Sequence, residues 1–518
     1  MKKLVLAKRI SQLFFIVLFT YILWATTYPL KSSISPKILF KLDPLVMLIT
    51  SLSERLILAG MATCLIMFFL ALILGRFFCG WVCPLGAIID FSGMDNKGVV
   101  LNDKQNKPVR KTKFVILGLI FIFALLGLQI AWIFDPLVIA ARFVSLNLIP
   151  AMTSAINGSF SRIIRTFNLY GPLYDFYRSL RNSFLGVKIY YFSHALVIFS
   201  FLLAVFIAGY KLKRSWCRVV CPLGAIYAMF SRFSLLQRRI KGCNRCMKCK
   251  SACRMGAIKD DLSYVKSECV VCLDCVYNCP QKITRFNFSG WAFPAKSKVE
   301  SKSASAISRR QFLTLAFFSG LAAQVKLKEE LWSSRPRRQK VIRPPAALKE
   351  EEFLNRCVRC GNCMKVCITN GLQPALFGAG LSGMWTPQLV PEVGYCEYHC
   401  TLCGNVCPTG AIPKLTEKEK LVTRLGLPKI DRNICIPWKK GEPCLVCEEH
   451  CPIPEKAIKL RKVIVNGKEV LRPYLNLKLC VGCGICQTKC PVRPERAIKV
   501  YPVRVTHGKA GSKAKGVT

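Results

Sequence analysis

Cys243-Asn-Arg-Cys246-Met-Lys-Cys249-Lys-Ser-Ala-Cys253 is followed by Cys269-Val-Val-Cys272-Leu-Asp-Cys275-Val-Tyr-Asn-Cys279-Pro280. In both runs two, two and three residues separate successive sulfurs. Three closely spaced thiolates cap one face of an iron–sulfur cubane, and in a double run the fourth ligand comes from the other half. The spacing therefore assigns Cys243, Cys246, Cys249 and Cys279 to one [4Fe–4S] cluster, and Cys269, Cys272, Cys275 and Cys253 to a second. Structural zinc takes two ligand pairs separated by a longer loop, which this pattern does not follow. Residues 236–290 are expected to form one small pseudo-symmetric α+β unit.

Four more groups lie downstream. Cys357, Cys360, Cys363 and Cys367 keep the regular spacing, as do Cys480, Cys483, Cys486 and Cys490. Cys396, Cys400, Cys403 and Cys407 widen the first gap to three residues, and Cys435, Cys444, Cys447 and Cys451 widen it to eight. The wider gaps leave room for a different cluster nuclearity in those two groups. Proline follows Cys407, Cys451 and Cys490, and Ala-Ile recurs at 411–412, 457–458 and 497–498. That repeat reads as cluster loop, short helix and strand, so 353–500 is expected to be a four-cluster domain of ferredoxin-like modules. Adjacent groups can exchange their fourth ligands (Cys367 with Cys407, Cys451 with Cys490), or the exchange can be nested, first with fourth and second with third.

The chain has 518 residues and 29 cysteines, 24 of them in these six groups, which is cluster chemistry rather than a disulfide framework. The formal charge is +48. Six oxidised cubanes with their thiolates, about −2 each, leave it near +36. No groove-binding motif accompanies that charge, so nucleic acid is not the expected partner. Hydrophobic residues make up 52% of the chain and the mean hydropathy is +0.33, values expected where part of it lies in a lipid bilayer.

Four apolar stretches of about 20 residues, near 10–29, 55–75, 114–134 and 189–210, are long enough to span a bilayer. Lys2, Lys3, Lys8 and Arg9 place the N-terminus in the cytoplasm, with the loop bearing Lys97 to Lys113 and the segment Lys211–Arg214 on the same side. The fold expected for 1–235 is a polytopic helical membrane domain of four spans, with a long loop at 135–188. Arg76-Phe-Phe-Cys79-Gly-Trp-Val-Cys83-Pro-Leu-Gly-Ala-Ile88 follows the second stretch, and Arg214-Ser-Trp-Cys217-Arg-Val-Val-Cys221-Pro-Leu-Gly-Ala-Ile226 follows the fourth. If these segments are helical, each cysteine pair points its sulfurs one way. Facing pairs would gather Cys79, Cys83, Cys217 and Cys221 into a metal or Fe–S centre or a redox-active thiol site; packing thiols are the alternative. Cys64, alone in a span, is a core residue. His194 is the only membrane-part histidine, too few for a bis-histidine haem. His194 and Glu54 are candidates for a quinol site, with Arg55, Asp90 and Asp135 as further candidates; Glu54, Arg55, Asp90 and Asp135 are otherwise expected to be interfacial charges near span ends.

Residues 291–352 read as a linker. Within it Ser308-Arg309-Arg310-Gln311-Phe312-Leu313 precedes a short apolar run, the pattern of an internal twin-arginine export signal at Arg309 and Arg310. A basic tail is expected at 501–518. No Cys-x-x-Cys-His haem site, flavin or nicotinamide fingerprint is present, and His399 and His450 inside the cluster loops are expected to cover clusters rather than ligate them.

Residues 1 to about 285 resemble the NapH-type membrane quinol dehydrogenase component, related to NosR- and CcoG-type proteins. Those from about 305 onward resemble the NapG/MauM-type exported ferredoxin. The resemblance implies a protein of the bacterial or archaeal cytoplasmic membrane, its first cluster domain cytoplasmic and its second periplasmic. It would carry electrons from quinol through six [4Fe–4S] clusters to a periplasmic cytochrome or reductase. A maturation factor reducing a metal or cofactor, or a carrier facing the cytoplasm, are the alternatives.

Overall fold

Pro or Gly marks the start or stop of many of the helices. The computed structural model describes residues 2–28, 35–58, 60–92, 103–181, 191–211, 213–240, 242–288, 341–465 and 468–506, with Leu30 and Gly320. Arg309 and Arg310 lie outside the described residues. The chain divides into two units: Met1–Trp24, Pro36–Val144 and Leu196–Ser334 form the first, and Ala25–Ser35, Ser145–Ala195 and Arg335–Thr518 the second.

In the first unit Lys2–Trp24 is a single helix. Met61–Leu74 ends at Gly75, whose φ of +72° stops the helix, and spans about 21 Å at 1.5 Å per residue. Asp103–Leu125 begins in a basic half containing Pro108, and Ala195–Lys211 spans about 26 Å. Two helical runs among the described residues are long and apolar enough to cross a membrane, Leu4–Trp24 and Pro136–Phe167; Pro44–Glu54, Ala62–Leu74, Ala195–Gly209 and Pro222–Ser231 are apolar but shorter. Large apolar side chains stand exposed along these helices, among them Leu13, Phe14, Leu65, Phe69, Phe199 and Ile207. The long loop expected at 135–188 is instead largely helical where described: Pro136–Phe143, a π turn at Val144–Leu148, Ile149–Phe167 and Pro172–Leu180. Asp135 caps the first of these with Pro136 at its first position, a strong helix start.

The small cluster module closes this unit. Leu236–Ile240 pairs antiparallel with Thr284–Phe288, Ile240 opposite Thr284. That pairing brings the segments flanking Cys243 and Cys279 to one end of the module. Between the strands lie two one-turn helices, Lys248–Ser251 and Asp274–Tyr277.

The second unit begins earlier than the expected linker boundary: Val341, Ile342 and Arg343 are buried, and Ile342 bridges to Leu389. Four short helices carry cluster cysteines, and Arg424–Ile430 pairs antiparallel with Ile498–Thr506, so the expected basic tail starts as a strand. Ile458–Val465 and Lys468–Leu475 form a hairpin between them. Segments from the N-terminal half complete the unit. Lys365 Nζ donates to the Thr26 carbonyl at 3.1 Å, while Asn370 Nδ2 and Gln373 Nε2 donate to the Tyr191 carbonyl at 2.6 and 2.9 Å.

Candidate cluster-binding and thiol sites

Four of the six short helices that carry cluster cysteines begin at a backbone position of positive φ between two cysteines, while those at Leu402 and Val446 follow Thr401 and Leu445 at φ of −119° and −101°. Gly361 and Gly484 take it at +87°, and Met247 and Leu273 hold the same turn at +57° and +64°. This shared turn aims the second and third sulfurs of a group at one volume. In the second unit Cys357, Cys360 and Cys363 surround an opening together with Cys407. Cys396, Cys400 and Cys403 share theirs with Cys367, and Cys435, Cys444 and Cys447 share theirs with Cys490. Cys451 packs with Cys480 and Cys483, beside which Cys486 lies. The exchange is therefore between adjacent groups, not nested ones.

The openings of the second and third quartets are otherwise lined largely by Pro, Leu, Ile and Val, and that of the first by a more mixed set that includes Phe353, Arg359, Asn362 and Ile412. Widened cysteine gaps thus still leave an opening with four sulfurs around it. The eight residues of the third group's first gap form Ile436–Lys439 and the turn after it, with Ile436 and Pro437 lining the opening. Among the described residues no three Cys, His, Asp or Glu side chains are arranged to hold a single metal ion. Sulfurs spread around a volume suit the corners of a cubane. Burial, with neighbouring sulfurs adding to it, pushes the free thiols up: Cys435 to about 11, and Cys275, Cys447 and Cys483 to about 12. Iron must displace protons from such thiols, which ties cluster loading to folding.

The quartets of the second unit form a series. The first and second exchange ligands, and so do the third and fourth. The Cys396 amide donates to the Cys483 carbonyl at 2.8 Å, joining the second quartet to the fourth. The order is first, second, fourth, third, and the last stands beside an aromatic–cation stack in which Trp438 lies between Arg432 and Arg472, 4.3 and 4.7 Å from its ring.

The first unit contains a comparable series. Cys249 and Cys275, from the two quartets of the small module, share one apolar cluster with Cys253 packed against it. Cys253 stands within electrostatic reach of Cys269, Cys272 and Cys275, as the spacing requires. Cys253 and Cys272 in turn pack against the helical core, whose buried residues include Cys79, Cys83, Cys217 and Cys221. The four thiols of the repeated motif are therefore gathered in one core. Neither motif is one continuous helix: Phe77–Trp81 and the π turn Trp216–Val220 each stop at the Cys-Pro step, and Cys221 Sγ caps the following helix by accepting the Gly224 amide at 3.2 Å.

Two buried arginines bind the repeats to each other and to the small module. Arg214 of the second repeat donates to the Cys79 carbonyl at 3.1 Å, and Arg76 of the first lies against Gly224 of the second. Arg76 meets Glu268 at 3.1 Å, which also takes Lys113 at 2.6 Å. Arg214 holds Asp90 through two bonds of 2.7 Å, with Lys8 at 3.3 Å and Arg254 of the small module at 3.2 Å. Burial opposes charge on Asp90, but Arg214, Lys8 and Arg254 hold it well below the usual carboxylate range. Gly80 sits so close to the module that a Cβ there would lie 2.2 Å from the Val270 carbonyl oxygen. Asp90 is thus a buried structural charge and Asp135 a buried helix cap, rather than the interfacial charges expected, because sequence shows span ends but not what packs over them.

The remaining candidates are scattered. Glu54 ends Pro44–Glu54 half-buried in the first unit, and Arg55 follows it at φ +55°. His194 is exposed in the second unit, at φ +66°. His399 Nδ1 pairs with Glu417 at 2.6 Å on the surface, and His450 Nδ1 meets the Val446 carbonyl. Cys64 is buried, as expected of a core residue.

A family model described as a 4Fe-4S binding domain matches residues 56–108, 193–242 and 403–428. The first two segments contain the repeated cysteine motifs, and the third contains Cys403 and Cys407. The methylamine utilization ferredoxin-type protein MauM of Methylorubrum extorquens is 32% identical over 222 residues, which cover 40% of this chain and 96% of that protein. MauM of Methylobacillus flagellatus is 36% identical, covering 34% of this chain and 75% of the relative. The ferredoxin-type protein NapG of Escherichia coli is 35% identical, covering 33% and 74%. No solved structure matches. The cysteine-lined openings fit iron–sulfur clusters, and over the length it shares with these relatives the chain belongs to the MauM/NapG family of ferredoxin-type iron–sulfur electron-transfer proteins.

Proposed function

We propose that the protein is a membrane-bound quinol dehydrogenase component that passes electrons one at a time through six [4Fe–4S] clusters to a periplasmic oxidoreductase. The observation that carries this reading is the serial order of the cysteine quartets, with the four motif thiols adjoining the first series inside the helical core. In this reading Cys243, Cys246, Cys249 and Cys279 hold one cluster, and Cys253, Cys269, Cys272 and Cys275 the next. Cys79, Cys83, Cys217 and Cys221 form a redox centre between that cluster and the bilayer. The second unit's four quartets hold the rest, in the order given above.

The N-terminal half is read as a NapH-type membrane part joined to a NapG/MauM-type exported part. Exposed apolar side chains along the helices suit a lipid surface. Counting spans from a cytoplasmic N-terminus puts the loops after the first and third spans on the far face. Residues 25–35 and 145–195 come from those loops and belong to the same unit as the last four quartets, which supports a periplasmic place for it. The signal at Arg309 and Arg310 agrees, since a cluster-bearing domain has to be exported already folded.

The test is reduction of the anaerobically purified protein by a menaquinol or ubiquinol analogue, followed by EPR with iron quantitation. Several clusters should be reduced at a catalytically useful rate. Full reduction by dithionite with none by either quinol would remove quinol as the donor.

A further inference from the structure

Asp43-Pro44-Leu45-Val46 and Asp135-Pro136-Leu137-Val138 are the same four residues, and both start helices in the core of the first unit. Each aspartate uses one oxygen as a helix cap. Asp43 Oδ1 accepts the Leu45 and Val46 amides at 2.9 and 3.3 Å, and Asp135 Oδ1 accepts those of Leu137 and Val138 at 2.8 and 3.0 Å. Both residues are 0% exposed. The other oxygen of each, Oδ2, has no amide or hydroxyl partner, and the two carboxyl groups face each other at hydrogen-bonding separation. A hydrogen bond between two carboxyls requires a proton, and two like charges in contact away from water cannot both ionise. Burial, then the facing Asp135, pushes Asp43 well above the usual carboxylate range. Two helix N-termini meet at the pair and favour the single negative charge that remains.

A second observation gives the pair a direction. Tyr227, 1% exposed on Pro222–Ser231, has a hydroxyl with no hydrogen-bond partner. It shares a core with Cys79 and Cys83 of the thiol centre, and those two thiols, Asp43 and Asp135 lie within electrostatic reach of it. Cys64 on Met61–Leu74 lies within electrostatic reach of Asp43, and Arg142 on Pro136–Phe143 within reach of Asp135. A helix cap alone needs neither a second identical carboxyl nor an unpartnered phenol beside it.

We propose that Asp43 and Asp135, with Tyr227 in the same core, form a proton-exchange site for the thiol centre: the pair takes up one proton when an electron arrives at the adjoining redox groups and releases it when the electron leaves. The balance is one electron from the reductant and one proton from water, converting the Asp–COOH/Asp–COO⁻ pair to two Asp–COOH. The proton offsets charge that would otherwise accumulate in a dry core. The proposal rests on the reading that the motif thiols and the quartet Cys253, Cys269, Cys272 and Cys275 are redox groups.

The experiment is redox-difference infrared spectroscopy on the full-length protein, with dithionite as reductant so that the outcome does not depend on quinol, and EPR to confirm cluster reduction in the same sample. The wild-type protein should show a protonated-carboxyl stretch that responds to reduction and shifts down in D2O. Asp43→Asn and Asp135→Asn, which keep a capping oxygen, should each lose it at unchanged iron content, and Tyr227→Phe should shift it. Midpoint potentials of the adjoining groups should move with pH by up to tenfold in equilibrium constant per unit, 59 mV for one electron, and lose that slope in both Asn variants. A wild-type spectrum in which clusters are reduced and no carboxyl band responds overturns the proposal, as does a pH slope that survives both substitutions. That spectrum needs no variant to fold. Failure of quinol oxidation with the carboxyl response intact would overturn the donor and leave the proton site standing.

Discussion

Asp90→Asn leaves Arg214 and Lys8, each 2% exposed, buried around a neutral amide. Asp90 joins three parts of the first unit: Lys8 and Gln12 of the first helix, Arg214 of the second repeat, and Arg254 of the small cluster module. Breaking a buried ion pair by removing one partner costs about 3–5 kcal/mol. At about 1.4 kcal/mol per tenfold, opening of the docked module should rise from about a hundredfold to a few thousandfold. Hydrogen exchange over residues 242–288, with iron counted per protein, should show faster exchange there and loss of iron from the first two quartets. The sign of the pH effect follows from the depressed carboxyl. Its stabilisation is present above the unfolded carboxylate value of about 3.9 and is lost as pH falls through the lower folded value. Wild-type docking should therefore hold in mild acid, and the acid-labile component should be missing in the variant. Unchanged exchange and iron in Asp90→Asn would refute the claim that this cluster of charges fastens the module.

Gly80→Ala places a methyl carbon 2.2 Å from the Val270 carbonyl oxygen. It should cost about 1–3 kcal/mol as an overpacking change and alter the EPR signal of the quartet containing Cys269, read against an Ala at exposed Gly158. Cys490→Ser should remove the cluster of Cys435, Cys444 and Cys447, whereas Cys451→Ser should remove that of Cys480, Cys483 and Cys486; EPR of each variant decides, and the reverse assignment would contradict the adjacent exchange. Charge reversal of Lys439 and Lys440, next to Trp438 at the end of the series, should slow reduction of an acidic acceptor and flatten its salt dependence, measured by stopped flow, while cluster reduction by dithionite stays unchanged.

Cysteine spacing carries the cluster chemistry in the sequence itself, because a cubane's geometry fixes how far apart along a chain its thiolates can lie. The six groups, the small α+β module and the repeated Cys-x-x-x-Cys-Pro motif are all legible there. Span lengths are less so: Gly75 and the Asp135-Pro136 start reset helix ends that hydropathy alone places elsewhere. Which quartet receives Cys367, Cys407, Cys451 or Cys490 is decided only by tertiary structure, since adjacent and nested exchange satisfy the same local spacing and differ only in which loops meet. The roles of Asp90, Glu268, Arg76 and Arg214 are likewise tertiary, because a buried ion pair depends on partners more than a hundred residues away. The Asp-Pro-Leu-Val repeat can be read from the chain, but that its two carboxyls share one buried volume follows only when the helices they cap are packed together, where the loss of water makes a shared proton the stable arrangement.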